Sequence, residues 1–329
     1  MSGPALRDGF RRTIDYLRLS VTDRCNLRCI YCMPAAGVHP LDHTEILSYE
    51  EMLRIVRIAV GEGIRKVRVT GGEPLVRKGI VEFVGDLSRV AGLQDLSLTT
   101  NGLLLEEMAP HLRRAGLRRV NVSLDTLRPE VFERITRRPG LARVLAGIAA
   151  ARREGLSPVK VNVVALRGVN DGEILDFAAF AEEGGYEVRF IEFMPAEKDA
   201  WDETRLVPAA EILDTLRSRY PLVPLLAEKL SGPCRVFQLP RGGRVGVISP
   251  LSDHFCGGCN RLRLTATGSL RGCLFSREET DLRALLRSGA GDAELAAVLR
   301  EVVARKPRGH SLREEPAHGS GIAMSRIGG

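Results

Sequence analysis

Short apolar runs and amphipathic segments alternate along roughly the first 200 residues of the chain. The apolar runs are rich in β-branched residues and predict strands over residues 16–21, 66–70, 96–100, 119–124, 159–164 and 187–192. Between them, apolar positions recur at spacings of three and four, which predicts helices over residues 49–62, 79–91, 104–115, 141–154 and 173–183. Such alternation builds a parallel sheet. We therefore expect an α/β fold, an incomplete (β/α)6 barrel of the TIM type, with its chemistry at the carboxyl ends of the strands.

The pattern changes beyond residue 196. A polar stretch over residues 197–207 precedes a predicted helix at 209–219. Strands punctuated by glycine and proline follow at 235–239, 244–248, 262–266 and 269–273, before two closing helices. We interpret residues 1–196 as the partial barrel and residues 197–329 as a separate, smaller α+β extension that closes the open side of the barrel.

Composition narrows the class of protein. The 329 residues carry a net charge of +7, and their arginines are scattered through predicted strands and helices rather than massed in one tail. This distribution favours a polyanionic small molecule over nucleic acid as the partner. The chain has no run of about eighteen apolar residues and no signal-peptide pattern at its start, so we expect a cytoplasmic protein without membrane contact.

Six of the seven cysteines form two groups of three. The first triplet is Cys25-x3-Cys29-x2-Cys32, and the second triplet is Cys256-x2-Cys259-x13-Cys273. A [4Fe–4S] cluster that only moves electrons takes four thiolates, so three thiolates leave one iron open to a small molecule. A structural zinc site is the alternative, although zinc prefers four protein ligands. Cys234 has no partner at metal-binding spacing, and we expect it to be a packed thiol.

Cations interrupt several apolar strands. Arg18, Arg68 and Lys160 lie among apolar neighbours on three different strands, where each must find a partner or face solvent outside the barrel. Arg261 and Arg263 flank Leu262, so strand alternation points both in the same direction. Either these cations converge on a common anion, which the planar guanidinium group of arginine can bind through two hydrogen bonds, or they form solvated strand faces.

Four sequence segments together carry a family resemblance. They are CNLRCIYC after the first strand, TGGEPL after the second, CGGCNRLRLTATGSLRGC near the C-terminus, and the terminal SRIGG. With these segments, the chain resembles the radical S-adenosylmethionine (SAM) superfamily and, within it, the GTP 3′,8-cyclase family. The resemblance runs from about residue 16 to residue 329.

The resemblance implies a role for each motif. The first triplet would hold a [4Fe–4S] cluster that binds SAM, and the second triplet a [4Fe–4S] cluster that binds guanine. The SAM contacts implied by the family are Tyr31, Gly72, Glu73, Ser123 and Met194. The implied GTP contacts are Arg18, Arg68, Thr99, Lys160, Arg261 and Arg263. Arg261 and Arg263, together with Gly328 and Gly329 of a tail that reaches into the active site, would also serve catalysis.

The activity implied by the family is that of a radical SAM lyase. It converts GTP to (8S)-3′,8-cyclo-7,8-dihydroguanosine 5′-triphosphate through a 5′-deoxyadenosyl radical, the first step of molybdenum cofactor (molybdopterin) biosynthesis. The implied partners are an unidentified reductant, cyclic pyranopterin monophosphate synthase as receiver of the product, and a second copy of the chain in a homodimer. A radical SAM peptide maturase and a metal-binding module for RNA remain as alternatives.

Overall fold

Twelve strands form one mixed sheet in the computed structural model, which describes residues 5–39, 41–194, 202–226, 230, 232–276, 278–310 and 324–327. The strands are β1 Tyr16–Ser20, β2 Lys66–Thr70, β3 Asp95–Thr100, β4 Arg119–Ser123, β5 Lys160–Ala165, β6 Glu187–Glu192, β7 Val223–Pro224, β8 Arg235–Gln238, β9 Arg244–Ile248, β10 Arg261–Leu264, β11 Ser269–Arg271 and β12 Thr280–Asp281. Their order across the sheet is β12-β11-β10-β1-β2-β3-β4-β5-β6-β9-β8-β7.

The helices lie between and after these strands. They are α1 Tyr49–Gly61, α2 Ile80–Ser88, α3 Leu105–Arg114, α4 Pro129–Thr136, α5 Leu141–Arg153, α6 Ile174–Gly184, α7 Ala209–Arg217, α8 Leu282–Arg287, α9 Asp292–Ala304 and α10 Met324–Ile327. The five helices expected between the first six strands are present, and α4 is an addition that the apolar spacing did not indicate. None of the helices in the described ranges is long and apolar enough to cross a membrane.

The six N-terminal strands are parallel and follow one another in chain order. Apolar residues of these strands are buried, as expected for parallel strands that are covered on both faces. Within the described residues, the two ends of the sheet, β12 and β7, do not pair with each other. The expected incomplete barrel is thereby confirmed.

The C-terminal strands differ from the expectation of a separate unit. β10 pairs in parallel with β1, and β9 pairs in parallel with β6, so the C-terminal segment extends both edges of the barrel sheet. β8 and β11 then add to these strands in antiparallel fashion. The predicted boundary between residues 196 and 197 falls outside the described residues and stays a prediction.

Candidate active site

All six cysteines of the two triplets line one cavity of about 310 Å³. The cavity is lined by the barrel strands together with β9, β10 and the segments around them, and every cysteine of the chain is a free thiol. Because β10 lies directly beside β1, the two triplets reach the same space although more than 220 residues separate them in sequence. The arrangement joins two incomplete thiolate sets in one chamber.

The loop of the first triplet is fastened to the C-terminal end of α4. Arg28 N–H donates to Thr136 O at 2.9 Å, and Ile30 N–H donates to Ile135 O at 2.9 Å. The Arg137 guanidinium donates to the carbonyl of Arg28 at 3.0 Å. These bonds fix the backbone of the loop to the end of α4 and the residue that follows it. Burial and then the neighbouring Cys32 raise the pKa of the Cys29 thiol.

The glycines after β2 allow the loop of the first triplet to approach closely. A Cβ on Gly72 would lie 2.4 Å from the carbonyl oxygen of Arg24, and Gly72 N–H donates to Thr22 O at 2.7 Å. Glu73 N–H donates to Arg24 O at 2.8 Å. Only glycine therefore permits this contact, which positions the chain one residue before Cys25.

Glu73 is 1% exposed and does not line the cavity. Its carboxylate accepts hydrogen bonds from Thr100 Oγ1 at 2.7 Å, Asn101 N at 2.6 Å and Leu75 N at 3.1 Å. Burial raises its pKa to about 7, although these hydrogen bonds lower it. The carboxylate thus connects the loops that follow β2 and β3, and a direct contact of Glu73 with SAM stays a prediction.

Tyr31 lines the cavity with its hydroxyl turned to an acid that sequence reasoning missed. The hydroxyl donates to Asp125 Oδ2 at 2.5 Å, and Asp125 Oδ1 accepts from Val164 N at 2.8 Å. Burial raises the pKa of Asp125 to about 6. Ser123, Met194 and Gly72 also line the cavity. With Tyr31, four of the five expected SAM contacts therefore lie at one space.

Two cations that the sequence did not single out hold the second triplet. Arg12 Nη1 donates to Cys256 O at 2.7 Å, and Lys306 Nζ donates to Arg261 O at 3.0 Å and to the carbonyl of Gly272. Burial raises the pKa of Cys259, but Arg261 and Lys306 lower it to about 6 overall. Since the thiolate is the metal-binding form, this environment suits metal ligation.

A row of arginines crosses three adjacent strands on the cavity side. Arg18 on β1 is in register with Arg68 on β2 and with Arg263 on β10, and all three line the cavity together with Arg261. Burial and then the nearby Arg263 lower the pKa of Arg18. Within the described residues, neither Arg18 nor Arg68 has a carboxylate within 4.0 Å. The row is therefore suited to an anionic ligand.

Several buried polar atoms of the cavity have no hydrogen-bond partner in the described part of the chain. Besides His310 Nδ1, four such atoms lie on residues that line the cavity: Tyr16 Oη, Arg18 Nε, Thr99 Oγ1 and Asn162 Oδ1. Buried polar atoms in folded proteins are normally paired. These four atoms are therefore suited to receive hydrogen bonds from, or donate them to, a bound polar molecule.

Lys160 does not line the cavity, unlike the other expected GTP contacts. Its Nζ lies 3.3 Å from the carboxylate of Glu187, which also accepts from Arg189 Nε at 2.6 Å. Burial lowers the pKa of Lys160 to about 8. Of Lys160, Glu187 and Arg189, only Arg189 lines the cavity. Arg189 interrupts an apolar strand in the same way as Arg18. A charge that interrupts an apolar strand could therefore have identified Arg189 from the sequence.

The expected catalytic residues Gly328 and Gly329 lie outside the described residues.

Sequence comparisons identify relatives along nearly the whole chain. The Radical SAM superfamily profile matches residues 19–181, and the profile named Molybdenum Cofactor Synthesis C matches residues 186–312. The GTP 3′,8-cyclase of Geobacter sulfurreducens is 52% identical over 98% of this chain and 99% of its own length. The chain belongs to the GTP 3′,8-cyclase family. As a member, it is a radical SAM enzyme of molybdenum cofactor biosynthesis, which confirms the expected family and enzyme class.

Further relatives support the same assignment of the cyclase family. The GTP 3′,8-cyclase of Moorella thermoacetica is 50% identical over 98% of this chain and 100% of its own length. The molybdenum cofactor biosynthesis protein 1 of Bos taurus is 47% identical over 93% of this chain and 48% of its own length. Full-length similarity to cyclases argues against the two alternatives, a peptide maturase and an RNA-binding module.

Solved structures share the fold at low sequence identity. The crystal structure of Streptococcus suis SuiB bound to S-adenosylmethionine has a TM-score of 0.61 and 14% identity, over 86% of this chain and 67% of SuiB. At this identity the likeness concerns the fold alone. Iron–sulfur clusters and SAM are the cofactors of the radical SAM family to which the chain belongs.

Proposed function

We propose that the chain converts GTP to (8S)-3′,8-cyclo-7,8-dihydroguanosine 5′-triphosphate in the cavity that both triplets share. SAM binds beside the first triplet, and GTP lies between the arginine row and the second triplet. The observation that carries the proposal is the meeting in one space of six thiols with Arg18 and Arg68, two arginines that have no carboxylate within 4.0 Å among the described residues. Holding two ligands in contact is a positioning task, which such a chamber performs.

Each thiolate set fits a cluster with one open iron. The residues are three free thiols per set, and Cys259 lies in a cationic environment that favours the thiolate. Cys25, Cys29 and Cys32 would hold the cluster that binds SAM, and this pair would supply the radical chemistry directed at C3′ of GTP. Cys256, Cys259 and Cys273 would hold a second cluster, to which the guanine base would bind. The chain's own part is to orient both ligands and to exclude water.

The cations place the triphosphate. Arg18, Arg68 and Arg263 present their guanidinium groups at one level of the sheet, and bidentate contacts to phosphate oxygens favour arginine at such positions. Among the described residues, six Arg and Lys side chains line the cavity against two carboxylates, an excess of positive charge that suits a triphosphate. Thr99 adds a hydroxyl without a present partner among the described residues.

The remaining roles follow the family resemblance. Tyr31, Ser123 and Met194 contact SAM, Gly72 and Glu73 form its methionine clamp, and Lys160 assists in binding GTP. Arg261 and Arg263 hold the nucleotide as the new bond forms, and Gly328 and Gly329 reach the active site. The chain works as a cytoplasmic homodimer, receives electrons from a reductant of unidentified nature, and delivers its product to cyclic pyranopterin monophosphate synthase.

The test is anaerobic turnover by chain reconstituted with iron and sulfide. With GTP, SAM and a reductant, we expect the cyclised product by mass spectrometry together with 5′-deoxyadenosine. Cys273→Ser should reduce the iron content from about eight to about four per chain and abolish cyclisation. Cys234→Ser is the matched control, because this thiol lies outside both triplets and does not line the cavity. This substitution should leave the iron content and the cyclisation unchanged. Absence of cyclised product from the wild type would refute the proposal.

A further inference from the structure

Tyr16 is a buried side chain of the cavity with an unsatisfied hydroxyl. It is the first residue of β1, is 2% exposed and lines the cavity. Its hydroxyl oxygen is buried and has no hydrogen-bond partner in the described part of the chain. Such a group in a folded protein calls for an explanation, which a bound ligand can provide.

Cations surround the Tyr16 ring. Lys66 Nζ lies 4.5 Å from the ring centroid and Arg68 Cζ lies 5.5 Å from it, both from β2. Arg261 on β10 is in register with Tyr16, and Arg18 follows it on β1. Ammonium and guanidinium groups only donate hydrogen bonds, so none of them can accept the phenol proton. Since the described residues offer the phenol no acceptor, a ligand that is drawn to this cationic end of the cavity can supply one.

We propose that Tyr16 is a substrate-binding residue whose hydroxyl donates a hydrogen bond to an anionic oxygen of the triphosphate. This inference rests on the proposed function, since it deepens the account of the same nucleotide site. It assigns the end of the cavity near the start of β1 and β2 to the phosphates. Tyr16 then contributes to the preference for a polyphosphorylated nucleotide over the bare nucleoside.

Charge provides independent support for this role. Burial raises the pKa of Tyr16, but Arg68, Arg18, Lys66 and Arg261 lower it, and the outcome is a pKa of about 8. Binding of a polyanion neutralises these four cations and so favours the protonated phenol. At pH 8.5, GTP binding should therefore be accompanied by proton uptake to which Tyr16 contributes.

The experiment compares Tyr16→Phe with wild type in the reconstituted holoenzyme. Phenylalanine keeps the ring and its contacts with Lys66 and Arg68 and removes only the hydroxyl. A hydrogen bond to a charged acceptor corresponds to a change in affinity of about tenfold or more. We expect calorimetric titration to show GTP binding weakened by about that factor and guanosine binding unchanged. Calorimetry at pH 8.5 in two buffers of different ionisation enthalpy should show reduced proton uptake on GTP binding.

Tyr49→Phe is the matched control. The Tyr49 hydroxyl is also buried without a partner among the described residues, but this ring packs on Phe83 and does not line the cavity. Loss of the Tyr49 hydroxyl should leave the affinity for GTP unchanged. If Tyr16→Phe binds GTP as tightly as wild type, or weakens guanosine equally, the inference is overturned while the proposed function stands. A wild type that does not bind GTP overturns both.

Discussion

Replacing Gly72 by alanine tests how the first triplet is positioned. An added Cβ would lie 2.4 Å from Arg24 O, 2.7 Å from Arg24 C and 2.8 Å from Asp23 O. All three atoms belong to backbone, so no flexible side chain can move aside. Since non-bonded carbon atoms prefer separations of about 3.5–4.0 Å, the loop before Cys25 must shift by about 1 Å.

The energetic cost follows from the same contacts. Overpacking costs about 1–3 kcal/mol. The shift also breaks the hydrogen bonds Gly72 N to Thr22 O at 2.7 Å and Glu73 N to Arg24 O at 2.8 Å, each worth about 1 kcal/mol. The total of about 3–5 kcal/mol falls on the loop that carries Cys25. Metal ligation tolerates displacements of only about 0.2 Å, so we expect the first cluster to be lost.

The assay is iron and sulfide content after anaerobic reconstitution, with electron paramagnetic resonance of the reduced clusters. Gly72→Ala should bind about four irons instead of about eight, lose the spectral change caused by SAM, and still bind GTP. Gly257→Ala is the control, because it lies beside Cys256 but its Cβ would meet no atom within 4 Å. A Gly72→Ala chain with full iron content and a normal response to SAM would refute this reasoning.

Two further predictions concern buried carboxylates. The pKa of Glu73 is raised to about 7, so the stability it contributes is present below its unfolded pKa near 4.5 and is lost as pH rises through 7. Between pH 5 and pH 8, the free energy of unfolding measured with urea should fall by about 2–3 kcal/mol more for the cluster-free wild type than for cluster-free Glu73→Gln. An equal fall in both proteins would contradict this prediction. Glu187→Gln leaves Lys160 and Arg189 without their shared acid and should destabilise the chain by about 3–5 kcal/mol. GTP should then raise the melting temperature of this variant more than that of wild type, and an equal rise would contradict the prediction.

Much of the barrel could be predicted because its local and global patterns agree. Each of the six parallel strands is a short apolar run, and the helices between them repeat apolar positions at three and four. The places of β9 and β10 could not be predicted, because strand partners are set by non-local pairing rather than by local periodicity. The Pro- and Gly-rich C-terminal segment looked separate for this reason.

The candidate site shows the same division. Cysteine spacing identified both triplets, and strand alternation placed Arg261 and Arg263 on one side. Glu73 shows the limit of sequence reasoning. The family resemblance makes it a SAM contact, but whether its carboxylate faces a ligand or Thr100 depends on the loop after β3. A hydrogen bond between loops that are distant in sequence leaves no local pattern.

Strand register explains why the cations converge. Arg18, Arg68 and Arg263 are each the third residue of their strand, and parallel pairing places equal positions side by side. Three neighbouring guanidinium groups repel one another, and the row therefore opposes folding in the absence of an anion. A fold keeps such a local conflict where function requires it. Under the proposed function, a polyanionic substrate would offset the cost of the cationic row, and binding at this row would then stabilise the folded chain.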